Sequence, residues 1–498
     1  MQYTAINIGP IFSTLQMARK PRELWAASYL FSHLMKCIIE TLLKNGIKEE
    51  DIISPAILKN ENQNLGVGLY PDRVFFKKGL PATSNGKTFE DTVFDKLITS
   101  INIADKTKDF FKIMIVSLDI STSQNEDSEA ICKLNQALDK VELFNIACED
   151  EDSKDVRELI SLKYNSPLFK KAFGETEFPI ESLGEIAAKQ LEKLEPGNWK
   201  KFVEDIKSKD KAEQAFSYFS RDKLKSYHKY ICVVQADGDN VGKTIIHKKL
   251  QKDKVKKISE ALLDFGKNAT TQIKNFGGLP IYAGGDDLLF IAPVVGVDGT
   301  NIFEFLKKIE DEAFKDVRDA IKSCDLKDEN TNSIETSLSF GISITYYKYP
   351  LYEALESAKD LLFKKAKTIT GKKSWAWSLR KHSGGTFDMA FSRKDNDLEN
   401  LFFDLINATT DDDLVSAVAH KIYEKDKLSD LVLDTKDDSR LQALFDNILE
   451  FKNNPYFNTV KKLMPVLYEA VGSEHYATKL YSLLRTAKFI KGEELRDE

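Results

Sequence analysis

The stretch "LPIYAGGDDLLFIAP", residues 279–293, sets two glycines and two aspartates between two short apolar runs. The flanks have the length and content of buried strands and the centre has turn residues, so the stretch reads as a β-hairpin. Asp286 and Asp287 then occupy a place that strands usually deny to adjacent carboxylates. Such a pair repels itself unless a cation neutralises it, so its position is a matter of chemistry as well as of fold. Gly284 and Gly285 let another backbone or a ligand come close.

The neighbouring sequence supplies a partner for the hairpin. "YICVVQA" (230–236) is a continuous apolar run of buried-strand length and leads into the loop "DGDNVG". Val255, Ile258, Leu262, Phe265, Ala269 and Ile273 then recur at helical spacing, and Gly277-Gly278 stop the helix. After the hairpin come a helix in "IFEFLKKIEDEAFKDVRDAIKS", a strand in "ETSLSFGISITYY", a helix in "LYEALESAKDLLFKKAKTI" and a last strand, "SWAWSL". The order contains a β-α-β-β-α-β unit of the ferredoxin-like kind, in which the first and third strands are central neighbours. Asp237, at the end of the first strand, is therefore expected to meet Asp286 or Asp287. Three oxygen-ligand residues with room for water and phosphates suit Mg²⁺ or Mn²⁺. Two such ions about 3.5–4 Å apart can activate an attacking hydroxyl and stabilise a leaving pyrophosphate, which is nucleotidyl-transfer chemistry.

Either motif alone is an ordinary turn, because Asp-Gly pairs are common turn residues. Their joint placement on adjacent strand ends points to a metal site. Two rival motifs fail. "DGDNVGKT" ends like a P-loop, but Asp237 stands where the first glycine belongs, and an EF-hand reading puts Val241 and Lys248 at ligand positions. Lys243 is within reach of a triphosphate, or is a solvated lysine at a helix start. None of the six histidines (His33, His228, His247, His382, His420, His475) is followed by Asp or forms an HxxxH or HExxH pair, which disfavours histidine-rich metal nucleases and proteases.

The 498-residue chain as a whole exceeds a single core and suggests three or four units. With 42% apolar and 30% charged residues and a net charge of −6, it has an ordinary soluble composition, without the overall basic charge of a free-standing nucleic-acid binder. Five scattered cysteines with no CxxC pair point to reduced thiols and to no structural zinc. The amino terminus lacks signal-peptide character and no apolar run reaches membrane-span length, so a cytoplasmic protein is expected. An amino-terminal α/β region has strands in "YTAINI", "LGVGLYPDRVFF" and "FFKIMIVSLDIS" and a long helix in "RELWAASYLFSHLMKCIIETLLKNG". Residues 121 to 225 read as mostly helical, with an acidic run at Glu149–Asp152. From 385 onward patterns such as "DLVSAVAHKIYEK" and "SRLQALFDNILEF" read as a helical bundle without strands.

The central region resembles the GGDEF/nucleotide-cyclase and polymerase palm superfamily. The pairing of "ADGDNVGK" with "YAGGDDLLF", the opening "INIGPIFSTLQMARKPRELWAASYLFSHL" and the segment "FPIESLGEIA" resemble the large polymerase–cyclase subunit of type III CRISPR effector complexes, Cmr type. The resemblance implies an α/β (α+β) chain with two ferredoxin-like palm domains: 1–120 a degenerate first palm, 121–225 a helical connector, 226–384 the catalytic GGDD palm and 385–498 a carboxy-terminal helical domain. It further implies a nucleotidyltransferase that uses ATP to make cyclic oligoadenylates, switched on by target RNA bound to a guide-RNA complex with sister subunits. Asp237, Asp286 and Asp287 become catalytic metal ligands, Gly284 and Gly285 make space for phosphates, and Asp239 and Lys243 are further nucleotide contacts. Some relatives instead join AMP to S-adenosylmethionine, and the acceptor stays open. The chain starts directly at the first palm with no His-Asp pair, so DNA cleavage by an HD nuclease domain is not expected. The alternatives are a non-catalytic scaffold that holds RNA and subunits, or a free-standing GGDEF-like cyclase.

Overall fold

The computed structural model describes residues 1–492 except 59–64, 84–85, 102–104, 121–125, 145–159, 161–171, 173–181, 209, 329–330, 395, 409–419, 422, 425, 449–454 and 473–474. The acidic run Glu149–Asp152, Cys148 and most of "DLVSAVAHKIYEK" fall outside the described residues.

Two sheets organise the chain. The first has the order β2-β3-β1-β4, from β1 (Gln2–Gly9), β2 (Ile52–Ser54), β3 (Arg73–Lys77) and β4 (Lys112–Asp119). Helix α1 (Pro21–Lys44) joins β1 to β2 and helix α2 (Phe89–Ile101) joins β3 to β4. The second has the order β10-β9-β8-β5-β7-β6, from β5 (Tyr230–Asp239), β6 (Leu279–Gly284), β7 (Asp287–Pro293), β8 (Ser337–Tyr346), β9 (Ser374–Arg380) and β10 (Thr386–Ser392). Its connecting helices are α3 (Lys252–Phe276), α4 (Ile302–Lys308) continued by α5 (Lys315–Lys322), and α6 (Leu351–Asp360). Both sheets carry the ferredoxin-like four-strand order, with the first strand between the third and fourth. The chain thus repeats one fold, and the second copy is extended by β9, parallel to β8, and by β10.

The apolar run at 230–236 is continuous because both faces of β5 are covered. Ile231 and Val233, with Ile281, Leu289 and Ile291, pack against a layer that includes Leu24, Leu30, Phe31 and Leu34 of α1. Cys232 and Val234, with Leu288 and Phe290, pack against Val255, Ile258 and Phe265 of α3. The two domains also meet edge to edge, since Gly68 forms a parallel bridge with Tyr282 and accepts from the Ala283 amide at 3.1 Å. No described helix is long and apolar enough to cross a membrane.

Three expectations change. The region from 385 does contain a strand: β10 pairs with β9 from Thr386↔Arg380 to Ser392↔Ser374, so the second sheet extends past residue 384. Phe387, Met389 and Phe391 alternate inward there with the period of a strand, which Gly384-Gly385 and Asp388 disguise. "SWAWSL" is therefore not the last strand. The strand expected in "LGVGLYPDRVFF" contracts to Arg73–Lys77, because Pro71 interrupts it and the loop before it turns away to bridge β6 at Gly68. Within residues 121–225, helix Glu126–Phe144 packs on the first sheet: Ile131, Leu134 and Leu138 share a core with Tyr3 and Met114, and Asp127 pairs with Lys77 at 3.1 Å.

Beyond β10, α7 (Asp397–Asn407), shorter helices Asp426–Asp434 and Asp438–Ile448, α8 (Pro455–Val471) and α9 (Tyr476–Gly492) form a helical layer. It is anchored where Phe402 stacks on Trp377 at 5.3 Å and where Trp377 Nε1 donates to Thr486 Oγ1 at 3.1 Å.

Helix α6 lies unusually close to the sheet, because a Cβ on Gly341 would collide with the Ala358 carbonyl and the Leu362 amide. Gly341→Ala is expected to destabilise the protein by about 2–3 kcal/mol, as overpacking against backbone does. Chemical denaturation checks this; an unchanged midpoint would show that the helix can back away freely.

Candidate active site

β5 and β7 are antiparallel neighbours, paired from Ile231↔Pro293 to Ala236↔Leu288. The register brings the end of β5, at Asp237, to the beginning of β7, at Asp287, although fifty residues separate them in sequence. Gly238 makes the approach possible: a Cβ there would lie 2.7 Å from Asp286 Cβ and Oδ2. Gly285 takes φ +64°, the left-handed turn conformation that an L side chain strains, and open space surrounds it. Gly284 serves differently, since the Tyr282 ring fills the volume that its side chain would need.

Asp239 is buried and turned into the sheet. Ser337 donates to its Oδ2 at 2.7 Å, Ser339 to its two oxygens at 3.0 and 2.8 Å, the Lys373 amide at 3.0 Å and Lys367 Nζ at 2.8 Å. The carboxylate expected to meet nucleotide is therefore committed to holding protein groups. Lys367 continues the network. Its ammonium lies 2.9 Å from Asp237 Oδ1 and donates to the carbonyls of Asp237 and Gly238 at 2.9 and 3.0 Å. The helical turn Leu361–Lys365, a wider π turn, precedes Lys367 and re-aims the chain inward. Lys372 donates to Asn240 Oδ1 at 3.1 Å, and Lys243 is exposed beside it.

One cation does not balance three carboxylates. Burial and then Asp237 push the Asp286 carboxyl up to about 7. Burial, followed by Asp286, Asp237 and Asp72, raises Asp287 well above the ordinary carboxylate range. Asp237 is raised by burial against the pull of Lys367. Lys367 itself is held protonated: burial opposes its charge, but Asp237 and Asp239 outweigh it. The donor set is all oxygen and acidic, the chemistry a hard divalent cation takes. Among the described residues, however, no three His, Cys, Asp or Glu side chains are already disposed as a metal cage.

Sequence reasoning missed Lys367, Gly238, Tyr282 and Asp72. Asp72 immediately precedes β3 of the first domain, as Asp286 and Asp287 introduce β7, and Ile8 N donates to its carbonyl at 3.1 Å. It is the single carboxylate at the matching turn, and it raises both Asp287 and the Tyr282 phenol. The repeated topology was the signal that could have found it. Lys367 lay hidden in the lysine-rich run "KKAKTITGKK".

The raised Asp286 carboxyl has a stability consequence. Between about pH 4 and 7 the folded metal-free chain holds a proton that the unfolded chain has released, so this group's contribution to stability falls as pH rises toward 7. Asp286→Asn is expected to be more stable than wild type at pH 8 by on the order of 2 kcal/mol, with the gap closing toward pH 4. Denaturant titrations with chelator at pH 4.5 and 8 measure it. A gap of equal size at both pH values would contradict the shift.

Comparison with known proteins agrees with this topology. Residues 230–376 match the model of the Cas10/Cmr2 second palm domain, and residues 3–102 match the amino-terminal domain of the CRISPR-associated protein Cmr2. The CRISPR system Cmr subunit Cmr2 of Pyrococcus furiosus is 35% identical over 185 residues. That alignment spans 32% of this chain and 19% of the relative's length. Among solved structures, the apo type III-B Cmr-beta structure matches with a TM-score of 0.59 at 12% identity, covering 99% of this chain and 82% of that one. A Csm1–Csm4 cassette in complex with cA4 matches with a TM-score of 0.55 at 12% identity, covering 98% and 69%. At such identities these structures speak for the fold alone, while the two domain matches fall on the two sheets found here. Two separate stretches of the chain thus match Cas10/Cmr2 domain models, one on each of its two sheets.

Proposed function

We propose that the chain is the adenylyl-transferring subunit of a type III CRISPR effector complex, activated when guide RNA in the complex pairs with target RNA. The observation that carries this reading is the convergence of Asp237, Asp286 and Asp287 on adjacent strand ends, with Lys367 as a partial counter-charge. The Csm1–Csm4 relatives of the same fold have been solved with cA4 and with AMPPNP, which supports ATP as donor and an adenylate oligomer as product. In this role the chain works in the cytoplasm with sister subunits, guide RNA and target RNA. We assign catalysis to the second palm and a supporting wall, including Asp72, to the first.

Asp237, Asp286 and Asp287 would hold Mg²⁺ or Mn²⁺, which when bound neutralises triphosphate charge and acidifies an attacking hydroxyl. The chain's own contribution is positional. Lys367 and Asp239 keep Asp237 at the strand end, Gly238 lets Asp286 close on it, and Gly285 gives the turn its open shoulder toward phosphates. Lys243, exposed at the mouth, places a positive charge where a triphosphate tail would leave the site. Two acceptors fit the donor chemistry, a second ATP giving cyclic oligoadenylate or S-adenosylmethionine receiving AMP.

The test assembles the complex with guide and target RNA and supplies labelled ATP and Mg²⁺ or Mn²⁺, with and without S-adenosylmethionine. Mass spectrometry identifies the product. The double variant Asp286→Ala/Asp287→Ala is expected to lose product by about a hundredfold or more. Wild-type rates in that variant would contradict the site. Full activity without RNA would favour a free-standing cyclase, and absence of product with every acceptor would favour a scaffold.

A further inference from the structure

A second polar cluster lies beneath the first, where the carboxy-terminal helices meet the sheet. Arg393, one residue beyond β10, is 1% exposed, and its guanidinium lies 4.4 Å from the centre of the Trp375 ring. It pairs with Glu310, and with Glu399 at 3.5 Å, both equally buried. Glu399 stands in the first turn of α7, so it belongs to the carboxy-terminal layer. Glu310 sits on the π turn Ile309–Ala313 between α4 and α5.

This triad is poorly explained as a source of stability. Buried ion triads are often matched or bettered by apolar residues of similar volume, because desolvation consumes the Coulombic gain. Here Arg393 Nε and Glu399 Oε1 find no hydrogen-bond partner, which raises the cost. What the triad does have is position. The Arg393 amide donates to the Lys373 carbonyl at 2.8 Å, and its guanidinium donates to the Leu338 carbonyl at 3.3 Å. Leu338 N donates to Glu310 Oε1 at 3.4 Å. Lys373 N, Ser337 Oγ and Ser339 Oγ, which flank those contacts, are the donors that fix Asp239 at 3.0, 2.7 and 2.8 Å. Asp239 in turn holds Lys367 at 2.8 Å, and Lys367 holds Asp237 at 2.9 Å. Every link from Glu399 to Asp237 is a hydrogen bond, an ion pair or a covalent step of one or two residues.

We propose that Arg393 is a positioning residue for the carboxylate site, and that the carboxy-terminal layer, through Glu399, sets how firmly Asp237 is held. The functional meaning of this coupling rests on the adenylyl-transfer reading; the coupling itself does not. It gives a partner that moves the carboxy-terminal layer a route to the carboxylates through a contiguous chain of buried charges, backbone groups and serine hydroxyls.

Hydrogen exchange of the metal-free full chain tests the coupling without any assay of activity. Glu399→Gln keeps the shape of the side chain and removes one charge of the triad. It is expected to speed amide exchange at Gly238–Asn240 and at Lys373 by about tenfold, and Arg393→Met by at least as much where it folds. Thr486→Val, which cuts the separate Trp377 tie of the same layer, is expected to leave those amides at the wild-type rate. Faster exchange confined to α7 in Glu399→Gln, or equal acceleration by Thr486→Val, would overturn the proposal. In the assembled complex, Glu399→Gln is expected to raise the Mg²⁺ concentration for half-maximal product several-fold, with the rate at saturating Mg²⁺ within about twofold of wild type. An unchanged Mg²⁺ requirement beside altered exchange would refute the functional half. A wild-type complex that makes no product would refute the adenylyl-transfer reading and leave the exchange result to decide the coupling.

Discussion

Mutual repulsion among Asp237, Asp286 and Asp287 is the constraint on which the rest of the second domain depends. Three carboxylates are gathered at the meeting point of two central strands, and burial makes each charge harder to keep. The fold answers with the ammonium of Lys367, fixed by a further buried carboxylate, Asp239. This arrangement places a positive charge where it steadies Asp237 and only partly offsets Asp286 and Asp287. Carboxylates crowded and buried in this way lower stability, a familiar cost of function.

The duplicated fold explains how the crowding is reached. In each copy the third strand returns beside the first, so the turn before it always lands at the end of the first strand. In the first copy that turn carries Asp72 alone, facing the apolar Ile8, and its strand end has lost the carboxylate that Asp237 supplies in the second. The first copy lends its α1 layer to cover one face of β5 and β7, and its Gly68 loop extends the edge at β6. Its Asp72 carboxyl adds, after burial, Asp286 and Asp237, to the crowding that raises Asp287.

Much of this was legible in the sequence because it rests on local pattern. Apolar runs at 230–236 and 288–293, helical spacing from Val255 to Ile273 and the turn glycines suffice for the β-α-β-β-α-β order, and that order alone joins Asp237 to Asp287. What escaped depends on partners far along the chain. Asp239 resembles a ligand in "ADGDN" until Ser337 and Ser339, about a hundred residues away, are seen to consume its oxygens. Lys367 resembles its solvated neighbours until the π turn rotates it inward. β10 hid behind Gly384-Gly385 and Asp388, because a half-buried edge strand tolerates a polar residue that a central strand does not.

We propose that the three carboxylates are crowded because divalent cations belong between them. Titration of Mn²⁺ into the full-length chain, followed by electron paramagnetic resonance of the free ion, tests this most directly. About two Mn²⁺ ions are expected to bind per chain in the presence of a non-hydrolysable ATP analogue, falling to none in Asp286→Asn/Asp287→Asn. Equal Mn²⁺ binding by wild type and that variant, or none by wild type, would contradict it.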